Sequence, residues 1–427
     1  MTETLGARIR RLRLARGLTQ RELATPIFTR AFLAAVESGV RVPGDTSLRK
    51  LAERLGVDVE DLRAGRPPGL ADELRDRLRE ARRWLSHGRV DEAAAENERV
   101  RDEALRFGLA DVAGWAAYQL ADVLLHRGDL HGAEAAYAAI AEDELSPDLR
   151  GAVIGRLAYA RFVLGDAPRA VAMLEAELRA MRAAPAADPD AEVRVVSWLV
   201  YFCAELEWFD LGRRLEHEVA GLLTQVRNPE WVGNFYSIAA QLRHGESELD
   251  DMERMLAEAD RHYRELDLER ERGLCHWARG YVQRRAGRLA EAAGEFRTAR
   301  AILDRVGAVQ DHAGATIELA EALRRLGEPD EAAALAREAV TTMRRTRHRE
   351  GVAQADRLLG VVAAGRGDDA EAERLLVAAA DGYAGAGLTA DEVNTCGLLG
   401  DLLHRQGRRD EAVAVYRRAL HAAERLR

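Results

Sequence analysis

Apolar residues recur along this chain at the spacing of helices rather than strands. In Leu18–Gly39, LTQRELATPIFTRAFLAAVESG, Leu23 and Ala24 give one short helix its apolar face, and Phe32, Leu33 and Val36 give it to a second. Thr19 is placed to cap the first by accepting an orphan backbone N–H, and Glu22 completes a capping box. Pro26 has no N–H to continue the ladder. Thr29 caps the second helix over Arg30–Ser38, and Gly39 suits its end. Arg30, Ala31, Ala34 and Ala35 remain facing outward, and a short smooth helix with a cation near its start fits a DNA major groove.

Past Arg63–Leu70 (RAGRPPGL), whose paired prolines predict a stiff extended linker, the pattern becomes self-similar. Glycine recurs at Gly88, Gly128, Gly165, Gly245, Gly287, Gly327, Gly367 and Gly407. The long step from Gly165 to Gly245 hides a further unit whose turn, near Trp208–Asp210, lacks the glycine. Five residues after the glycine stands alanine, with Asp250 the exception, and seven before it a small residue such as Ala81, Gly280 or Gly400. Larger residues (Tyr137, Leu174, Phe296, Leu376, Tyr416) stand nine after, and Ala257, Ala299, Ala339, Ala379 and Ala419 twelve after. This is the pattern of a helical hairpin. Glycine makes the turn, small residues let two backbones approach, and the larger residue fills the gap beyond.

Residues 5–62 resemble the Xre/Cro-type helix-turn-helix domain in LGARIRRLRLARG, LTQRELA, AAVESGVRVP and LRKLAERLGV. That resemblance implies an Arg13–Glu37 pair inside a five-helix head, and DNA contacts from Gln20, Arg21, Thr29, Arg30, Ala31, Ala34, Ala35 and Arg41. The turn departs from the family by one residue, reading Pro-Ile-Phe-Thr. A head kept only for docking or dimerisation is the alternative. The repeats resemble the tetratricopeptide repeat, best in Asn394–Leu420, though with a period near 40 instead of 34. The expected fold is all-α: the head, then about nine hairpins over residues 71–427 stacked into a right-handed superhelix, with Val393–Arg427 as its C-terminal cap.

In such repeats the first helix of each hairpin lines the concave face, at ten, six and three residues before the glycine. That rule selects Tyr118 and Leu125; Gly155, Tyr159 and Phe162; Phe235 and Leu242; and Trp277, Tyr281 and Arg284, with Trp198 and Phe202 on the same stripe. Further on the lining becomes Ile317, Glu321 and Arg324, then Arg357, then Asp401 and His404. Asp122, Asn234 and Gln241 add polar groups to a mostly apolar concavity, a sensible ligand site. Each aromatic has an ordinary alternative as core packing.

Composition and charge narrow the function. The net charge is −9, yet residues 1–66 hold thirteen Arg or Lys against eight Asp or Glu, so the remainder carries −14. A basic head on an acidic body suits DNA at one end only. Lys50 is the sole lysine, which excludes a Walker A motif, and the arginine-rich style suggests a high-GC genome. No metal spacing, G-x-S-x-G elbow or dinucleotide glycine fingerprint is present, so no catalytic residue, metal or cofactor is expected. Cys275–His276 reads as a helix-surface pair. Three scattered cysteines, no long apolar run and a polar N-terminus point to the cytoplasm.

The order of head and repeats is similar to that of the peptide-sensing regulators called the RRNPP group. This implies a homodimer that holds double-stranded operator DNA through residues 1–62 and senses a signal peptide or small apolar molecule through 71–427, with no membrane partner. The alternative is a repeat scaffold that docks a protein, with a secondary head.

Overall fold

In this computed structural model, residues 3–67, 69–184, 188–243 and 248–424 are described, and every regular element among them is helical. The chain divides into two compact units, Met1–Glu80 with Glu96–Ala116, and Ala81–Ala95 with Ala117–Arg427. No helix among the described residues is long and apolar enough to cross a membrane.

The first unit begins with five helices, α1 (Leu5–Ala15), α2 (Gln20–Ala24), α3 (Arg30–Glu37), α4 (Asp45–Leu55) and α5 (Val59–Ala64). Ile9, Leu23, Leu33, Leu51, Leu55 and Leu62 form their core. The capping box at Thr19 and Glu22 is present, and the Thr29 hydroxyl accepts the Phe32 N–H at 3.1 Å. Gly6 lets α1 meet the end of α3, since a Cβ there would lie 2.2 Å from the Val36 carbonyl oxygen. Arg54 secures α2 by donating to the carbonyls of Leu23 (2.7 Å) and Glu22 (2.5 Å).

Only Gly65–Gly69 separates α5 from the next helix, and Pro68 of the expected linker lies outside the described residues. Arg66 there donates to the carbonyls of Phe107 (2.7 Å) and Gly108 (3.2 Å). Leu70, Leu74 and Leu78 pack with Val100, Ala104 and Val112 in this same unit.

The remaining helices pair in sequence into nine hairpins. They are α6 (Leu70–Ser86) with α7 (Val90–Arg106), α8 (Ala110–His126) with α9 (Leu130–Ala141), and α10 (Pro147–Val163) with α11 (Ala167–Ala183). Next come α12 (Pro189–Glu205) with α13 (Phe209–Ala220), α14 (Pro229–Ala239) with α15 (Leu249–Glu265), and α16 (Glu269–Arg285) with α17 (Leu289–Arg305). Last are α18 (Val309–Leu326) with α19 (Pro329–Arg345), α20 (Arg349–Gly365) with α21 (Asp369–Ala386), and α22 (Thr389–Arg405) with α23 (Arg409–Ala423).

The small and large positions meet as the pattern requires. A Cβ on Gly280 would come within 2.7 Å of the Phe296 ring, and one on Gly400 within 2.3 Å of Tyr416. Phe296 is wholly buried in that space, which contributes roughly 1.5–3 kcal/mol. In the hairpin without a glycine, Glu207 itself takes the left-handed turn conformation, φ +59°, and Gly212 stands five residues later.

The fifth hairpin corrects the expected frame. Gly245 lies outside the described residues, and Asp250 and Ala257, counted from it, are exposed. Ala240, Met252, Leu256 and Ala259 are the fully buried ones, a frame two residues later. The cause is local: α14 stops at Ala239 and tightens into a 3-10 turn over Ala240–Leu242.

Within the second unit, distant hairpins touch. The turns at Gly88, Gly128 and Gly165 rest against the joints at Val306, Thr346 and Ala386. Gly88 is required twice, by its φ of +79° and because a Cβ would meet the Val306 oxygen at 2.7 Å. His126 Nε2 lies 3.0 Å from the same Val306 oxygen, and burial holds this imidazole below its usual range.

Candidate functional sites

In the first unit α3 presents Arg30 and Ala31 as exposed residues, with Ala34 and Ala35 half-buried behind them. Arg21, Thr29 and Arg41 are also exposed, and the Arg41 guanidinium sits 4.8 Å from the centre of the Phe32 ring. Val40 and Val42 flank Arg41 with exposed side chains, a surface that the helix pattern alone did not mark. Gln20 is different. It is half-buried, and its amide donates to Glu37 Oε2 at 2.9 Å. Glu37 also takes both arms of Arg13, so Gln20 belongs to an internal ion pair.

In the second unit the first helices of all nine hairpins converge on one cavity of about 420 Å3, within the roughly 300–1,000 Å3 typical of ligand sites. Its wall is read at i, i+4, i+7 and i+11. On α12 these are Arg194, Trp198, Tyr201 and Glu205; on α14 and its 3-10 end, Glu230, Asn234, Ser237 and Gln241. On α16 the stripe is Arg270, Leu274, Trp277, Tyr281 and Arg284. Tyr118 and Tyr159 also face the cavity, so eight of the twelve expected ligand residues line it.

The other four do not. Phe162, Phe202 and Phe235 are buried core, and the rings of Phe162 and Phe202 stack at 4.5 Å. Phe202 and Phe235 each follow a lining residue by one position, which turns a side chain by about 100° on a helix and aims it at the neighbouring hairpin. Asp122 stands behind the wall, where it accepts from Tyr137 Oη at 2.5 Å and pairs with Arg156 Nε at 3.1 Å. Leu125, Leu242 and Ile317 are likewise core. Past Tyr281 the wall is Gln310, Asp311, Gly314 and Glu318 of α18, then Glu350, Gln354 and Arg357 of α20, and aromatic character returns with Tyr383. Cys275 is buried, and His276 Nδ1 lies 2.7 Å from Glu295 Oε2.

The expected apolar lining is also corrected. Six arginines and eight carboxylates share the wall with the aromatics. Arg82 Nη2 lies 2.6 Å from both Glu230 Oε1 and Glu271 Oε1, and Ser86 Oγ donates to Glu271 Oε2 at 2.6 Å. Burial drives the Glu271 carboxyl up, but the charges of Arg82 and Arg270 and these bonds more than reverse that and hold it far below the usual range. Arg270 pairs with Asp311 at 2.6 Å, and Arg284 with Glu318 at 2.9 Å. Two glycines seat two of the three indoles of the wall. A Cβ on Gly155 would lie 2.3 Å from Trp198, and one on Gly314 would lie 2.2 Å from Trp277. The lining selected from the sequence includes Arg284 and Arg357 among the charged members of the wall and none of the others. Arg194–Trp198–Tyr201–Glu205 was visible as an i, i+4, i+7, i+11 stripe.

The chain thus has two parts, a head of five helices and a helical hairpin array with a charged and aromatic cavity. Family models resolve the parts: helix-turn-helix over residues 9–62, and tetratricopeptide repeat over residues 114–139, 313–338 and 393–425. The chain carries a helix-turn-helix domain of the Xre type followed by tetratricopeptide repeats. A comparison with curated protein sequences gives no match. Among solved structures, a Rap protein complexed with Competence and Sporulation Factor is similar at a TM-score of 0.55 and 14% identity, over 83% of this chain and 98% of that one. The Rap conjugation gene regulator of plasmid pLS20, in complex with the Phr* peptide, follows at 0.49 and 12%, over 83% and 95%. The apo quorum sensor NprR from B. thuringiensis gives 0.48 and 13%, over 82% and 99%. The first of these shows a shared fold.

Proposed function

We propose that this protein is a ligand-responsive transcriptional regulator. Residues 1–62 bind operator DNA as one half of a homodimer, with Arg30 reaching base edges from the start of α3 and Arg21, Thr29 and Arg41 holding phosphates. Residues 71–427 sense a short peptide in the cavity of the repeats. The observation that carries this reading is the cavity itself, which gathers side chains from nine separate hairpins and so makes their arrangement sensitive to an occupant. Support also comes from the Rap protein of shared fold, which was solved with Competence and Sporulation Factor. The mixed charges of the wall favour a peptide over an apolar molecule, because buried charges left without partners are costly.

The test is a mobility-shift titration. Duplexes selected by the protein from a random pool are bound in the presence and absence of a pool of short peptides. Operator affinity that changes with peptide supports the reading, and loss of the change in Trp277→Ala and Tyr281→Ala places the effect in the cavity. Operator binding indifferent to every peptide pool overturns it.

A further inference from the structure

The charges of the cavity wall do not balance. Glu230, Glu271, Asp311 and Glu318 each have an arginine within 2.9 Å. The side-chain carboxyls of Glu205, at the end of α12, and Glu350, at the start of α20, form neither an ion pair nor a hydrogen bond with any described residue, although both residues face the cavity. The side-chain carboxyl of Asp391 on α22 is likewise without such a partner. His348 adds no compensating charge, since burial pushes its imidazole down to about 4.

The surrounding surface suits a cation. Tyr201 is flanked by Trp198 at 5.8 Å and Tyr159 at 6.0 Å between ring centres. Aromatic faces attract guanidinium and ammonium groups. This wall already seats guanidinium groups of its own, among them Arg156 at 5.4 Å from the Trp198 ring, Arg194 at 3.4 Å from Trp231 and Arg284 at 5.3 Å from Tyr281. A separate observation marks the cavity as built for an occupant. Gln310 is only 6% exposed, faces the cavity, and has no partner for Oε1 or Nε2. A buried amide without partners is rare in folded proteins and is satisfied by something that enters.

We propose that the cavity seats a cationic group of the ligand, a guanidinium or an ammonium, between Glu205 and Glu350. The proposal rests on the cavity being the ligand site and names the chemistry that the site selects. Burial, with the charges of Glu318 and Asp391, pushes Glu205 up to about 7, and burial with Glu205 and Asp391 pushes Glu350 up as well. An entering cation removes that repulsion and returns both groups to the ionised form.

The experiment is calorimetric titration of the full chain with N-acetylarginine amide and with its uncharged isostere, N-acetylcitrulline amide. In parallel, pooled pentapeptides are captured on the protein and sequenced by mass spectrometry. The variants are Glu205→Gln, Glu350→Gln and the double variant, each checked by its melting curve; removal of repelling charges leaves the fold intact. The arginine derivative is expected to bind the natural chain at least tenfold more tightly than the citrulline derivative, with that margin lost in the double variant. Equal binding of the two probes, or arginine binding unchanged in the double variant, overturns the proposal. Peptides retained without preference for Arg or Lys overturn the cation seat while the peptide reading stands. Arginine binding as expected with no peptide retained supports the seat and removes the peptide reading.

Discussion

Glu37 closes the fork of Arg13 with both carboxylate oxygens, Oε1 at 2.6 Å from Nε and Oε2 at 3.0 Å from Nη2. The pair ties the end of α1 to the end of α3, and both side chains are buried. Burial raises the Glu37 carboxyl, but the bonds from Arg13 and Gln20 more than offset it and leave the group below its usual range. The stabilisation is therefore present above the unfolded carboxylate range and lost as pH falls through the folded value.

Glu37→Ala strands the Arg13 charge in the core of the head, which costs about 3–5 kcal/mol. Limited proteolysis of the full chain at neutral pH should then cut within residues 5–62 while the repeats stay protected. A head as resistant as the natural one would remove this pair from the account of its stability.

Arg30 is exposed one residue inside α3, next to the Thr29 cap. Arg30→Ala should weaken the selected operator by about 1–3 kcal/mol and relax sequence preference at one base position. Competition binding against scrambled duplex reads both effects. A uniform loss across all sequences would instead make Arg30 a phosphate contact.

Gly314→Ala tests the cavity wall without touching its charges. The added methyl would sit 2.2 Å from the Trp277 ring, so the indole must swing into the cavity. Helix propensity moves the other way, favouring alanine by about 1 kcal/mol, so the fold survives. Peptide-dependent change in operator binding should fall at least tenfold, with operator binding by the unliganded protein unchanged. A variant that still responds would show that Trp277 has room to yield elsewhere.

Most of this architecture was legible because the repeats are held by backbone approach, which only small residues permit, and those residues recur at readable intervals. Gly280 against Phe296 and Gly400 against Tyr416 show why. The Arg13–Glu37 pair was legible from resemblance, whereas the part taken in it by Gln20 was not, since Gln20 stands on a different helix and its reach depends on the packing angle. Phe235 was misplaced because Gly245 does not set the frame of its hairpin. The ion pairs of the cavity were hidden for a further reason. Arg82 meets Glu230 and Glu271 only because hairpins far apart in sequence are brought together, and no local period encodes that.

Glu205 predicts a pH signature in the repeats. Its folded value, raised to about 7, lies above the unfolded carboxylate range near 4.3, so the folded state binds the proton more tightly. Stability from this group is fully present below the unfolded value and is lost as pH rises toward 7. The groups acting on it are Glu318 of α18, Asp391 of α22, and Arg284 and Arg285 of α16, and its own charge in turn raises Glu350 of α20. Glu205→Gln should therefore raise the melting temperature at pH 8 and leave it unchanged at pH 4.5. A gain of equal size at both pH values would mean that the glutamine packs better and that charge is not the cause.

Ser86 carries the last prediction. It is wholly buried in the second unit, where its hydroxyl donates to Glu271 Oε2 at 2.6 Å and accepts the Arg270 N–H at 3.0 Å. A serine hydroxyl has one proton to give and lone pairs to receive, so both of its roles are in use. Ser86→Ala leaves a carboxylate oxygen and a backbone N–H unsatisfied away from water, which costs about 1–3 kcal/mol and more for the charged member. Arg82 and Arg270 still neutralise Glu271, so the chain should fold, with its melting transition lowered by a few degrees. Glu271 also lines the cavity, and a carboxylate freed from Ser86 can turn toward an occupant. Ser86→Ala should therefore change ligand affinity as well as stability, although Ser86 does not itself line the cavity. Ser86→Thr, which keeps the hydroxyl, separates the two causes: it should restore ligand affinity even if its extra methyl lowers the melting temperature. Ligand affinity identical in all three proteins would confine Ser86 to a structural part and uncouple the contacts between distant hairpins from the cavity.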